Sequence, residues 1–193
     1  KINNLETDLH IMGTLVLESL VSAVRALEDK DIAKASVVID KDDEIDDAYM
    51  KIDQDWFELM ATEQPVASDL RLSTSILQAS LHLERLGDLS VYLGKTTHEI
   101  HDLPIPESLH KIVIEMGDMV IDMASSALES LKNRDAELAL STARKDELIN
   151  SLYDKMLNEV PNISGNKDLY SGLFRLITCV RTLESGGDHA VDI

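Results

Sequence analysis

The sequence predicts an all-α protein, a tandem repeat of two antiparallel three-helix bundles built from six long helices. Only 4 prolines and 8 glycines interrupt its 193 residues, which favours long helices over many short strands. Hydrophobic residues make up 44% of the chain but aromatic residues only 4%, so the core has to consist mainly of aliphatic side chains and Met. An internal repeat then divides the helices into two equivalent sets of three.

Breaks in the apolar pattern separate the six predicted helices. Proline disrupts a helix interior, so Pro65, the Pro104–Pro106 segment and Pro161 mark three junctions. Polar clusters at residues 28–31 and 132–135 supply two more. The predicted helices span residues 2–28, 31–62, 67–100, 105–132, 135–160 and 167–193.

The two halves of the chain repeat the same residues at nearly constant offsets. Four residues recur 104 positions later: Met12, Asp31, Asp42 and Tyr49. Four others recur 100 positions later: Glu84, Gly87, Asp88 and Val91. The offset changes between the second and third helices of each half, where a loop can absorb four residues. We therefore predict two three-helix repeats, residues 1–103 and 104–193, the second of them truncated at its C-terminus.

Composition excludes several classes of function. The chain has 18 basic and 36 acidic residues, a formal net charge of −18. This charge repels nucleic acids and anionic lipids, so we expect no nucleic-acid partner and membrane contact only through other proteins. No apolar run approaches the roughly 18 residues of a membrane span. The single cysteine, Cys179, excludes an internal disulfide and suits a reducing compartment.

Pairs of polar, mostly acidic side chains recur at a spacing of four residues. The pairs are Asp42 with Asp46, Glu84 with Asp88, Asp146 with Asn150, and Glu184 with Asp188. This spacing places both side chains on one helix face, about one turn apart. Two such pairs on neighbouring helices can converge on one cation. The sequence therefore predicts a carboxylate-rich metal site in each half.

The position of these pairs within the helical pattern strengthens the metal hypothesis. In the third helix, Glu84 and Asp88 lie on one heptad-like stripe with Leu70, Leu77 and Leu81, which should face neighbouring helices. Carboxylates at such an interface are costly unless they are protonated, paired or metal-bound. Ion pairing with arginine and simple surface exposure are the alternatives. Oxygen ligands favour hard cations, and clustered carboxylates can bridge several metals.

Two other functions are consistent with acidic helices. A metal enzyme or storage bundle with carboxylate-bridged metals would use paired E-x-x-H motifs, but only Glu107 and His110 have that spacing. A purely structural scaffold would carry the same acids as ordinary surface. The sequence contains no glycine-rich phosphate loop and no arrangement that predicts a hydrolase.

Two segments, QPVASDLR at residues 64–71 and LERLGD at residues 83–88, resemble the PhoU family of phosphate-uptake regulators. The resemblance covers nearly the whole chain. It implies a cytoplasmic, non-enzymatic negative regulator of phosphate uptake and of the phosphate-starvation response. It also implies action between the ATPase subunit of the phosphate ABC transporter and a phosphate-sensor histidine kinase, and a homodimer.

The resemblance also implies metal on the acidic motifs, as multinuclear iron or zinc. The oxygen ligands themselves favour iron, manganese, magnesium or calcium. Three residues depart from the family pattern. Asn150 stands in place of an aspartate, Ser185 in place of the arginine after the glutamate, and Asp192 at the position that matches Tyr92. We expect a weaker or rearranged second site, in which Asp192 substitutes as a ligand.

Overall fold

The computed structural model describes residues 1–163 and 167–193, and the regular structure in these ranges is helical throughout. The helices are α1 Ile2–Asp29, α2 Ile32–Asp40, α3 Asp42–Glu63, α4 Ala67–Ile100, α5 Glu107–Asn133, α6 Ala136–Ile163 and α7 Tyr170–Asp192, with a 3-10 turn at Lys167–Leu169. The predicted all-α class, with a three-helix bundle in each half, is confirmed.

The second predicted helix is interrupted at Lys41, which separates α2 from α3. Lys41 has φ −91° and ψ 0°, in the sparsely populated bridge region. The break makes Asp42 the first residue of α3, where the helix dipole stabilises a carboxylate. The equivalent Asp146 lies inside the unbroken α6. The two halves therefore place equivalent aspartates in different electrostatic settings.

The two bundles share one continuous hydrophobic core. In the first half α1 packs on α2, α3 and α4, and in the second half α5, α6 and α7 pack on one another. Contacts between α1 and α5 and between α4 and α7 join the halves. The division of the chain into repeats at residues 1–103 and 104–193 stays a prediction.

Repeat-equivalent residues build the interface between α1 and α5. A Cβ atom added to Gly13 would lie 2.8 Å from Leu128 Cδ1, and one added to Gly117 would lie 2.8 Å from Val24 Cγ2. Gly117 and Leu128 each follow their equivalents, Gly13 and Val24, by 104 residues. The same close contact is thus made twice in reciprocal directions, as in a twofold-symmetric dimer.

Helix α1 corrects the expectation about membrane spans. By length and composition alone, Ile2–Asp29 is apolar enough to cross a membrane. In the fold, Leu9, Val16 and Leu20 of this helix are almost completely buried in the bundle core. A central core helix meets the same criterion as a membrane span, so this finding carries no membrane assignment.

The apolar stripe predicted on α4 is wrong at two of its leucines. Leu70 and Leu81 are 42% and 40% exposed, while Ser73, Ser80 and Thr97 are fully buried. Each of these hydroxyls donates a hydrogen bond to a carbonyl three or four residues earlier in the same helix. Because their polar groups are satisfied locally, such residues can line a core, and hydropathy alone does not identify that face.

We expect Gly117→Val to lower the free energy of unfolding by about 1–3 kcal/mol, because the added side chain overpacks the α1–α5 contact. Val24→Ala in the same chain should restore part of the loss. Ser125→Val, an exposed position on α5, controls for the helix propensity of valine. Urea denaturation measures the three variants, and equal stability of Gly117→Val and Ser125→Val would contradict the close approach.

Candidate metal sites

The first acidic group lies where α3 packs against α4. Its members are Asp42 and Asp46 of α3 and Glu84 and Asp88 of α4. A Cβ atom on Gly87 would lie 3.0 Å from Ile45 Cγ2, so the missing side chain lets α4 approach α3 closely beside these carboxylates. Glu84, Asp42 and Asp46 are partly buried and Asp88 is exposed. The group therefore sits at the rim of the bundle and is open to solvent on one side.

The carboxylates of this group influence one another. Burial raises the pKa of Asp42, and the charges of Asp46 and Asp88 raise it further. Burial also raises the pKa of Glu84, followed by the charge of Asp88, while Arg85 opposes the change. The four predicted residues thus share one region of negative potential, in which the charged forms of Asp42 and Glu84 are disfavoured.

Arginine compensates this charge only in part. Arg85 Nη1 donates to Asp88 Oδ2 at 3.2 Å, and its Nε lies 3.4 Å from Glu84 Oε2. Glu84 Oε2 is nevertheless a buried oxygen that accepts no hydrogen bond. The ion-pair alternative is therefore present at this site, but it leaves a buried acceptor unsatisfied.

The second acidic group repeats this construction where α6 packs against α7. A Cβ atom on Gly187 would lie 2.8 Å from Ile149 Cδ1 and 3.2 Å from Asp146 Oδ1. Gly187 and Ile149 are the repeat equivalents of Gly87 and Ile45. The same close approach thus places Asp146 and Asn150 of α6 beside α7, which carries Glu184 and Asp188.

Asn150 changes the electrostatics of the second group. Its Nδ2 donates to Asp146 Oδ2 at 2.9 Å, which lowers the pKa of Asp146 against the larger effects of burial and of Asp188. Asp146 Oδ1 remains buried without a hydrogen-bond partner. The pKa of Glu184 is raised by burial, then by Asp188 and Asp146, and Arg181 opposes the rise. This half therefore holds three acidic groups and one amide.

The donor chemistry of both groups fits a hard cation, because each offers several carboxylate oxygens and one buried oxygen without a hydrogen bond. Among the described residues, no three of these carboxylates bring oxygen atoms within 4.8 Å of one another. Like charges separate when nothing neutralises them, so a bound cation would have to draw them together. Metal binding at these residues stays a prediction.

Asp192, which we predicted as a substitute ligand in the second half, contacts a histidine of α4. Its Oδ2 lies 3.7 Å from His82 Nδ1 of α4, and that nitrogen lies 3.3 Å from His189 Nδ1 of α7. Burial and the neighbouring His82 lower the pKa of His189. The sequence analysis did not identify His82 as a possible ligand, because the equivalent residue in the second half is Thr182 and the repeat gives no signal there. Only the packing of α4 on α7 brings His82 beside Asp192 and His189.

The remaining sequence candidates have other partners. Glu107 pairs with Lys111 at 2.6 Å, and His110 Nε2 lies 3.0 Å from the carbonyl oxygen of Leu27. The E-x-x-H spacing therefore does not form a ligand pair. Cys179 is fully buried, and burial raises the pKa of its thiol to about 12. Its sulfur is protonated at neutral pH and behaves as a small hydrophobic group.

Known proteins of one family are similar to this chain. The family model described as the PhoU domain matches residues 9–97 and again residues 113–193. The chain is 32% identical to the phosphate-specific transport system accessory protein PhoU homolog of Pseudomonas aeruginosa, over all of this chain and 80% of the relative. The homolog of Clostridium acetobutylicum is also 32% identical, over all of this chain and 88% of the relative.

Solved structures show the same similarity. The crystal structure of PhoU from Pseudomonas aeruginosa aligns with a TM-score of 0.93 and 32% identity, over 97% of this chain and 90% of that one. The regulatory protein PhoU from Streptococcus pneumoniae aligns with a TM-score of 0.89 and 27% identity, over 98% and 89%. Both alignments include the two bundles and the helices that carry the acidic groups.

We expect Glu84→Gln to stabilise the metal-free protein at pH 7 by up to about 1 kcal/mol after solvent screening. The folded pKa of Glu84 lies above its usual value of 4.5, so the unfolded chain releases this proton at lower pH than the folded chain. The ionised carboxyl then destabilises the fold at neutral pH, and the penalty disappears as pH falls below 4.5.

Denaturation in the presence of a chelator at pH 7 and pH 4 measures this difference. Glu115→Gln, at an exposed residue on α5, makes the same charge change away from both groups. A loss of stability in Glu84→Gln at pH 7 would show instead that the pairing with Arg85 outweighs the burial of the carboxylate.

Proposed function

This chain belongs to the PhoU family, and on that premise we propose that it is an accessory protein of phosphate-specific transport. It acts as a negative regulator of phosphate uptake and of phosphate-starvation signalling. The observation that carries the proposal is the pair of equivalent acidic groups at the α3–α4 and α6–α7 contacts, each with an unsatisfied buried oxygen. The names of its relatives support the link to phosphate transport.

The regulator works as a metal-dependent adaptor. Asp42, Asp46, Glu84 and Asp88 hold metal in the first half, and Asp146, Glu184 and Asp188 do so in the second, with Asn150 in place of a fourth carboxylate. Iron or zinc is the expected metal, with manganese, magnesium or calcium as alternatives, and more than one ion can share a group. Bound metal supplies positive charge that offsets the mutual repulsion of these carboxylates and stiffens the acidic face.

The adaptor docks on proteins rather than on small substrates. Its partners are the ATPase subunit of the phosphate ABC transporter and a phosphate-sensor histidine kinase, both at the cytoplasmic face of the membrane. A chain with a net charge of −18 favours basic partner surfaces. The protein is a cytoplasmic homodimer in this proposal, and it is not an enzyme. A metal enzyme would instead show turnover that Glu84→Gln abolishes.

Metal binding is expected to raise the melting temperature of the chelator-treated protein. At a Mn²⁺ concentration 100 times the Kd, binding to the folded state adds about 2.7 kcal/mol of stability. For a chain of this size that corresponds to roughly 5–10 °C. Asp42→Ala/Glu84→Ala should lose part of this shift and part of the metal found by elemental analysis, because the second group remains.

The matched control is Glu115→Ala/Asp154→Ala, which removes the same charge at two exposed positions. Equal metal content and equal melting shifts in the two double variants would refute metal binding at the first group. Absence of metal from every protein, even after loading with iron, zinc and manganese, would favour the structural scaffold.

Partner binding provides a second test. We expect the purified ATPase subunit to bind the metal-loaded chain, with an affinity that falls as NaCl rises from 50 to 500 mM because salt screens charge attraction. Asp42→Ala/Glu84→Ala should weaken this binding at least tenfold, and Glu115→Ala/Asp154→Ala should change it less than threefold. Calorimetry measures both, and similar affinities for the two variants would contradict docking through the acidic face.

A further inference from the structure

Three potential metal ligands meet at the contact between the two halves. His82 projects from α4, and His189 and Asp192 project from α7 at a spacing of three residues. Their ligand atoms all lie within 4.8 Å of one another. His82 Nδ1 is 3.3 Å from His189 Nδ1 and 3.7 Å from Asp192 Oδ2.

These separations fit a tetrahedral cation. With metal–ligand bonds of about 2.0–2.1 Å, two ligand atoms on one zinc ion lie roughly 3.3 Å apart. Hydrogen bonding explains the cluster less well. A hydrogen bond between His82 Nδ1 and His189 Nδ1 accounts for their 3.3 Å contact, but Asp192 Oδ2, 3.7 Å from His82 Nδ1, lies beyond hydrogen-bond distance. One cation satisfies all three atoms together.

The cluster depends on the close packing of α7 against α4. A Cβ atom on Gly186 would lie 2.5 Å from Leu89 Cδ2, so a larger residue there would require the Leu89 side chain to shift. The repeat equivalent of Gly186 is Leu86, a fully buried core residue. The glycine that differs from its repeat equivalent therefore packs closely on Leu89 of α4, one turn before His189 on α7.

The repeat also supplies an internal comparison. The equivalents of His82, His189 and Asp192 are Thr182, Leu89 and Tyr92. On that side of the same helix pair, Thr182 Oγ1 donates a hydrogen bond to the carbonyl oxygen of Thr178 in its own helix, and Leu89 is buried. One side of the contact thus holds an ordinary packed arrangement, while the other holds three ligands at the corresponding positions.

We propose that His82, His189 and Asp192 bind one divalent transition-metal ion of the zinc class between the two repeats, separately from both acidic groups. Two imidazoles and one carboxylate suit zinc, cobalt or nickel better than magnesium or calcium. The Asp192 side chain is 59% exposed, so water reaches a fourth position on the ion. The bound ion ties α4 of one repeat to α7 of the other and restrains their relative motion.

The test is a Zn²⁺ titration of the full chain by calorimetry, with Co²⁺ absorption spectra as a second measurement. We use Glu84→Gln/Glu184→Gln as the background to reduce binding at the acidic groups. In that background one Zn²⁺ equivalent should remain, and Co²⁺ should give the intense visible bands of a tetrahedral site. His82→Ala and Asp192→Asn should each weaken this equivalent at least about tenfold.

His98→Ala is the matched control, because His98 is an exposed histidine on the same helix. It should leave the Zn²⁺ affinity unchanged. Unchanged Zn²⁺ binding in both His82→Ala and Asp192→Asn overturns the proposal, as does the absence of a Zn²⁺ equivalent from the background protein. Far-UV circular dichroism checks that each variant folds. Asp192→Asn changes an exposed side chain and leaves the core undisturbed. Failure of the phosphate-transport proposal leaves this result unaffected.

Discussion

Close helix approach at glycine is the constraint on which the rest of this structure depends. Gly13 and Gly117 let α1 and α5 cross in reciprocal contact, and Gly87 and Gly187 let the last helix of each bundle pack tightly on its neighbour. Asp88 and Asp188 directly follow the second pair of glycines. The contact that closes each bundle therefore also sets carboxylates of one helix against those of the next. The acidic groups occur twice because this contact occurs twice.

Packing and electrostatics oppose each other at these contacts. Aliphatic residues such as Ile45 and Ile149 fill the space over the glycines and stabilise the bundles, while the adjoining carboxylates are partly buried near like charges. A cation removes this conflict without a change of fold. The two halves differ in degree, since Asp42 begins a helix and Asn150 replaces a carboxylate with a donor. The first group has four carboxylates and the second has three, and in the second group Asn150 donates a hydrogen bond to Asp146.

The contact between α4 and α7 carries different residues on its two sides. Gly186 stands where the first repeat has Leu86 and leaves room for the Leu89 side chain, and the residues around it do not match across the two halves. One side retains a tyrosine and a threonine, while the other presents two histidines and an aspartate. The cluster combines residues of both repeats, and neither repeat contains it alone. Because the ligands come from both repeats, an ion bound there would depend on how the two bundles are placed relative to each other.

The sequence by itself determined most helices, the repeat and the spacing of the acidic pairs, because periodicity and punctuation by proline are local properties of the chain. It missed the break at Lys41, and it ended the fifth helix before Pro161, which lies inside α6. It also predicted the PhoU family from two short segments. Only the tertiary structure decided which face of α4 is buried, since serine and threonine that bond to their own helix resemble surface residues in a hydropathy pattern. It likewise decided that Asp192 meets His82. That contact joins residues more than a hundred positions apart, and it follows from how two helices pack rather than from any local pattern.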